Sequence, residues 1–377
     1  MKSIRRLGLK LLLGVSLGMA GSVAMSETIR ATSWHPPKHP VVVGGYEPFM
    51  EYVKKESKGK LDFKFWSGGA LASGTSTLPT VINGIADIGV MAMSYFPAEF
   101  PHFQLITDMS MFSDNPPAIA AAVTELVMLE CKGCRDEFTS KGLVFTSSYS
   151  TTPYTLISKR PINGPEDLKG KKFRSAGALW DRWTNYVGGT PVNVSSAEMF
   201  EALDRGGVDV AIFSPSALKS FSLWDIAKYD IMLELGTYAS MSLFTMNQGF
   251  WKDLTPEQRK MLLDASAIGV MGVTFSYIES DQAVLKEADQ HKVNIVKPAE
   301  SLIAQRNAFV EQEAASLPAL AKKNYGINNA EEIIKKYREL LKKWEGIVKE
   351  VGMDQEKLVE ALRKEVYSKV DVNTYGM

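Results

Sequence analysis

Short strand-like runs alternate with helical runs along this chain, and the alternation begins twice, which restricts the fold to an α/β architecture with largely parallel sheets. Thr28–Trp34 reads as a strand, Gly45–Ser57 as a helix, Leu61–Trp66 as a strand, and Ser76–Asn83 as a helix that feeds the strand Ile88–Met93. Past Leu143 the pattern restarts. Leu143–Ser148 and Tyr154–Ser158 read as strands, Pro165–Leu168 as a helical turn and Lys172–Arg174 as a strand. Helix Trp180–Val187, strand Pro191–Val194, helix Ala197–Asp204 and strand Val208–Phe213 follow. At 377 residues the chain exceeds the roughly 250 to 300 at which a single core stops growing, so two lobes are expected.

A faint internal repeat supports two similar lobes. LPTVINGIADIGV (residues 78–90) and MFEALDRGGVDVAI (199–212) each run from a helix through a glycine, Gly84 or Gly206, to an aspartate, Asp87 or Asp209, and then a β-branched strand. The glycine suits a left-handed helix end, and the aspartate can bond the turn before the strand. Helix–glycine–strand joints are common, so chance repetition is the competing reading. If the repeat is real, a ligand belongs between the lobes, at the carboxyl ends of the strands.

Arg174 is the residue there with the most specific chemistry. It ends the run Lys171, Lys172, Phe173, and the small residues Ser175, Ala176 and Gly177 after it let a ligand approach the backbone. A planar fork of donors matches two carboxylate oxygens, and a charge-assisted pair out of water contributes about 1.5–3 kcal/mol. The plainer alternatives are a solvated arginine or a pair with Asp181.

Residues 1–26 read as a signal peptide. Lys2, Arg5, Arg6 and Lys10 form a positive start, Leu11–Ala20 is apolar, and residues 22–24 or 24–26 offer small residues for cleavage. The apolar run is shorter than the ~20 residues a spanning helix needs, and no later segment reads as long and apolar enough. A protein exported to the periplasm is expected. Lys plus Arg and Asp plus Glu both number 43, so no basic excess suggests a nucleic-acid partner.

Cys131 and Cys134 form a lone CxxC. In an oxidising compartment a small disulfide is expected. A zinc site needs about four ligands, and His35, His39, His102 and His291 show no matching spacing. A redox motif normally follows a strand, whereas Ala118–Leu129 reads as a helix. No metal and no cofactor are expected. From Trp251 onward the chain reads as helical: Thr255-Pro256-Glu257 opens a run reaching Asp289, and Glu332–Glu350 and Asp354–Tyr367 are amphipathic with solvated charged faces.

KKFRSAG followed by VGGTPVNVSSAEMFEALDRGGVDVAIFSP resembles the solute-binding proteins of tripartite ATP-independent periplasmic (TRAP) transporters, the DctP family. ATSWHPPKHP, GIADIGVM, SKRPINGPEDLKGKKFR, DIAKY, LFTMN and LTPEQR extend the resemblance over nearly the whole mature chain. It implies a two-lobed periplasmic binding protein (type II-like) with hinge strands and long C-terminal helices. It also implies an organic-acid ligand on the motif arginine, here Arg174, and delivery to TRAP membrane permease subunits driven by an ion gradient. The expected division is residues 27–150 for lobe 1 with a return segment at about 238–280, 151–237 for lobe 2, and 281–377 for a helical region packing on the lobes. A monomer is expected.

Two departures refine this. Many members carry a second basic residue where this chain has Thr152-Pro153-Tyr154, and the usual polar residue past the VDG joint is replaced by Phe213-Ser214. The pocket should suit a monocarboxylate with an apolar or aromatic body. Strand ends place Trp34, His35, Tyr95, Tyr154, Trp180, Phe213 and Ser214 as walls beside Arg174. Arg174 on one lobe would anchor the acid while Trp34 and Tyr95 on the other cover it. Arg174→Ala is expected to weaken binding about tenfold, or about 1.4 kcal/mol, without changing apo stability. The competing classes are an enzyme acting on a small carboxylate and the binding component of a different uptake or sensing system. The chain has no GxSxG, HExxH, P-loop or GxGxxG motif, so no enzyme is expected.

Overall fold

The computed structural model describes residues 27–377, and the signal peptide expected over 1–26 lies outside the described residues. Its strands are β1 (Glu27–Thr32), β2 (Leu61–Trp66), β3 (Ile88–Ala92), β4 (Leu143–Val144), β5 (Thr155–Ser158), β6 (Lys172–Ser175), β7 (Thr190–Asn193), β8 (Val210–Phe213), β9 (Tyr229–Ile231), β10 (Met241–Asn247) and β11 (Asn294–Val296). They form a first sheet in the order β2-β1-β3-β10-β4 and a second in the order β11-β9-β5-β8-β6-β7.

The two sheets repeat one motif. In the first, β1 pairs in parallel with β2 on one side and β3 on the other; in the second, β6 pairs in parallel with β7 and β8. Gly84 and Gly206 both take left-handed backbone, φ 66° and 71°. The Asp87 carboxylate accepts the backbone N–H of Arg30 on β1 at 2.7 Å, and Asp209 accepts that of Lys172 on β6 at 2.9 Å. The aspartates therefore bond the neighbouring parallel strand, not the preceding turn, and they do so identically in both lobes.

Largely parallel sheets were expected, but each sheet is mixed. β10 runs antiparallel to β3 and β4, and β5 runs antiparallel to β8 and β9. The reason is the crossover: the chain enters the second lobe through residues 145–154 and returns through 232–240, and each crossing delivers a reversed strand to the sheet it joins. The crossings lie side by side, with Thr151 N–H donating to Tyr238 O at 3.0 Å and Tyr154 N–H to Gly236 O at 2.8 Å. Only Leu143 and Val144 of the expected strand 143–148 join a ladder, because the residues after them belong to this hinge.

Helix Pro256–Glu287 opens on a capping box between Thr255 and Gln258 and runs along the first crossing, where Thr274 Oγ1 accepts the Ser150 N–H at 3.4 Å. It is long and apolar enough to cross a membrane, against the sequence expectation. Two thirds of its apolar stretch is buried in the protein, as in a core helix. Gly272 lets it pack backbone to backbone on the turn Val41–Tyr46, where a Cβ at Gly272 would stand 2.0 Å from Gly44 O.

Asn294–Val296, inside the region read as helical, is a strand that extends the second sheet alongside β9. Helices Glu300–Tyr325, Ala330–Val351 and Gln355–Glu365 follow. The second of these is pinned to helix Pro116–Glu125 by the buried Glu125 carboxylate, which accepts from Lys343 Nζ at 2.9 Å and Trp344 Nε1 at 2.7 Å. Cys131 and Cys134 are joined, S–S 2.08 Å, at the start of helix Lys132–Thr139.

Candidate ligand-binding site

Strand ends, hinge crossings and the long helix converge on one cavity between the lobes. The first lobe contributes Trp34 and His35 beyond β1, and Ser94 and Tyr95 beyond β3. Opposite stand Arg174 and Ala176 from the end of β6, Phe213 from β8, and Ser196. The crossings supply Tyr149, Thr151, Tyr154 and Tyr238, and the long helix supplies Tyr277.

Arg174 is 1% exposed. Its Nε donates to Val194 O at 3.2 Å and Nη1 to Ile212 O at 3.1 Å, while the guanidinium carbon lies 5.2 Å from the Phe213 ring centre. Among the described residues no carboxylate pairs with it. Asp181, the alternative partner, instead accepts a long contact from Asn193 Nδ2 at 3.5 Å. A buried guanidinium with carbonyl partners and no counter-charge is costly unless an anion joins it. The two carbonyl bonds also revise one expectation: Arg174→Ala would strand two buried acceptors and so lower apo stability as well.

The rest of the cavity carries no formal charge. Burial pushes the His35 imidazole down to about 3, and burial together with the neighbouring His35 holds His39 well below the usual value. Both are neutral at ordinary pH. Burial likewise raises the phenols of Tyr149, Tyr154, Tyr238 and Tyr277. Trp34 stacks on His35 at 4.4 Å, Tyr154 on Phe213 at 5.0 Å and Tyr149 on Tyr277 at 5.9 Å, so flat surfaces face the cavity from several sides. The Trp34 Nε1–H is buried with no acceptor among the described residues.

Six of the eight expected wall and anchor residues thus meet: Arg174, Trp34, His35, Tyr95, Tyr154 and Phe213. Two stand back. Trp180 is fully buried behind Tyr154, its Nε1 donating to Leu235 O at 2.9 Å, because helix Ala178–Tyr186 turns that face into the lobe. Ser214 is also fully buried and bonds Ser216 Oγ at 2.9 Å. Tyr149, Tyr238 and Tyr277 were missed: two lie on crossings with no periodic pattern, and the third sits in an apolar helix where a tyrosine reads as core.

The lobes are closed on the cavity. Tyr95 OH accepts the Ser196 N–H at 2.9 Å across the cleft, and Ser94 Oγ meets Tyr238 OH at 2.8 Å. The inner cavity is about 30 Å³. Beyond Tyr95, Ser94 and Ala176 the cleft opens into an outer space of about 390 Å³ that also includes Asp181 and Glu198.

A pair of α/β lobes joined by hinge crossings thus encloses a cleft with a buried cation in its wall. The sequence matches the bacterial extracellular solute-binding proteins, family 7 (DctP), over residues 31–323, and the chain belongs to that family. A solute-binding protein of Albidiferax ferrireducens is 25% identical over 224 residues, covering 58% of this chain and 64% of that relative, under two thirds of its length. The fold matches a TRAP periplasmic solute-binding protein from Bordetella bronchiseptica with bound (R)- and (S)-mandelate, at TM-score 0.72 and 20% identity over 84% of this chain and 99% of that one. It also matches a marine metagenome TRAP solute-binding protein specific for aromatic acid ligands, at TM-score 0.74 and 19% identity over 84% and 99% of the two chains.

Proposed function

We propose that this protein is a periplasmic receptor for a monocarboxylate with an apolar or aromatic body, which it delivers to a TRAP-type ion-coupled permease. The observation that carries the ligand class is the isolation of Arg174: one buried guanidinium with no acidic partner among the described residues, in a cavity otherwise lined by neutral rings and hydroxyls. One cation matches one carboxylate. A dicarboxylate would leave its second charge facing neutral His35 and uncharged phenols, a large desolvation cost. The rings offer stacking surfaces, and the unpaired indole N–H of Trp34 offers a donor to a further oxygen on the ligand. The fold neighbours with mandelate and aromatic acids support the same class.

The inner cavity is far below the roughly 300 Å³ of an ordinary small-molecule pocket. Entry therefore requires the lobes to part and the rings to turn, so an open form takes up the ligand and closure encloses it. Thermal shifts against aromatic monocarboxylates, aliphatic keto acids and four-carbon dicarboxylates test the reading, since binding to the folded state raises stability by mass action. A shift with aromatic monocarboxylates, weakened at least about tenfold in Arg174→Lys, is expected. Lysine keeps the charge and loses the fork. A preference for dicarboxylates, or unchanged affinity in the variant, would overturn it.

A further inference from the structure

A second arginine bridges the lobes, and nothing in ligand contact explains it. Arg182 lies on helix Ala178–Tyr186 of the second lobe, directly after the strand that carries Arg174. Its Nη2 is 2.8 Å from Asp108 Oδ1, at the end of helix Pro101–Asp108 in the first lobe. The same nitrogen is 2.7 Å from Glu313 Oε2 on helix Glu300–Tyr325, to which Nε also donates at 2.8 Å. Tyr325 OH, from the end of that helix, donates to Asp108 Oδ2 at 2.8 Å. The contact with Asp108 is an ion pair without hydrogen-bond alignment, whereas the contact with Glu313 is directed.

These groups are out of reach of most solvent: the side chains of Asp108, Glu313 and Arg182 are 0%, 12% and 23% exposed. A pair this enclosed is screened far less than a surface pair, and removing one member leaves a buried charge uncompensated. Both helices also follow cavity residues in the chain. Helix Ala178–Tyr186 follows Ala176, and helix Pro101–Asp108 follows Tyr95, so each lobe has a rigid arm from a cavity wall to this junction. Beside it, Gly177 packs on Ser94 so closely that a Cβ there would lie 3.0 Å from Ser94 Cβ.

We propose that Arg182 is a positioning residue for ligand capture, a latch that holds both lobes and helix Glu300–Tyr325 in the closed form and so slows ligand release. The latch does not touch the ligand. Its effect on release rests on the receptor reading above, but its effect on closure does not. Opening the cleft must separate Arg182 from Asp108, and closure must desolvate both acids against one cation, so the closed population depends on this junction.

The test uses the full mature chain with cysteines for a dye pair introduced at two exposed sites, K55C on the first lobe and R205C on the second. Interlobe distance is read by single-molecule energy transfer without ligand. In R182A the open population should rise at least about fivefold, equivalent to about 1 kcal/mol. R182K should restore part of the closed population. Because the enclosed pair is little screened, salt from about 50 mM to about 1 M should shift the parent distribution less than the R182A substitution does. Identical distance distributions in parent and R182A would overturn the latch. With (R)-mandelate as probe, R182A should release at least about fivefold faster while association changes less than about twofold; equal release rates would overturn the effect on residence. Failure of mandelate to bind the parent protein counts against the pocket reading, and the ligand-free distances still decide the latch. Retained near-ultraviolet circular dichroism in R182A and R182K separates lost closure from lost folding.

Discussion

Arg174 and Arg182 stand at opposite ends of one short segment and differ in what faces them. Arg182 meets two carboxylates inside the protein, so its charge is satisfied by the fold. Arg174 meets carbonyl oxygens and a ring, and among the described residues no acid answers its charge. Two buried acids show the converse. Asp281 on the long helix accepts from Ser216 N–H at 2.6 Å and from the Thr152 hydroxyl, tying a hinge crossing to the end of β8. Asp230 on β9 is fully buried, and among the described residues neither of its oxygens has a well-aligned hydrogen-bond donor. Burial pushes each carboxyl up to about 7. An acid raised in the folded state stabilises it most below the unfolded value near 4, and that contribution is lost as pH rises through about 7. Stability should therefore fall between about pH 4 and 7, and D230N should remove up to about 1.4 kcal/mol per pH unit of that slope. Denaturant unfolding at several pH values checks this; an unchanged slope in D230N would mean that Asp230 is charged in the fold.

Among the elements, the long helix bears the closest packing. A Cβ at Gly272 would stand 2.0 Å from Gly44 O, and one at Gly44 would stand 2.3 Å from Ser276 Oγ, so the helix and the turn before helix Glu47–Glu56 meet through backbone. Gly272→Ala should destabilise the protein by at least about 1–3 kcal/mol, the range for overpacking, because the obstructing atom is a carbonyl that cannot swing away. A melting temperature within a degree of the parent would show that the two elements can slide apart. This contact was not legible in the sequence, where GVMGVTF reads as ordinary apolar helix. What was legible had local signals: the joints at Gly84 and Gly206, the capping of Pro256–Glu287, and the arginine before Ser175. Strands β9, β10 and β11 were not read, since three-residue strands carry little periodicity and β10 is buried on both faces without alternation. Trp180 and Ser214 were misplaced for a related reason. Proximity to a strand end in sequence fixes where the backbone goes, but the face of the next turn decides whether a side chain meets the cleft.

At the scale of the whole molecule, the repeated parallel motif builds each lobe and the exchanged antiparallel strands couple them. β5 leaves the first lobe to complete the second, and β10 returns to complete the first. That exchange puts the hinge at the bottom of the cleft, so bending the crossings moves the walls that hold Trp34 and Arg174 relative to each other.

The same exchange sets an order on synthesis. β3 is buried along its whole length, and its second neighbour is β10, made only after every strand from β4 to β9. A chain emerging from its amino end therefore carries an apolar strand with one edge unpaired while residues 93–240 are made, the situation that invites wrong pairing and chaperone capture. A fragment of residues 27–236 should accordingly be sticky, binding hydrophobic dyes and running as large species on size exclusion; a monodisperse, cooperatively unfolding fragment would show that the first lobe closes its sheet some other way. The cavity is likewise incomplete until β10 and the long helix exist, because its lining includes Met241 and Tyr277.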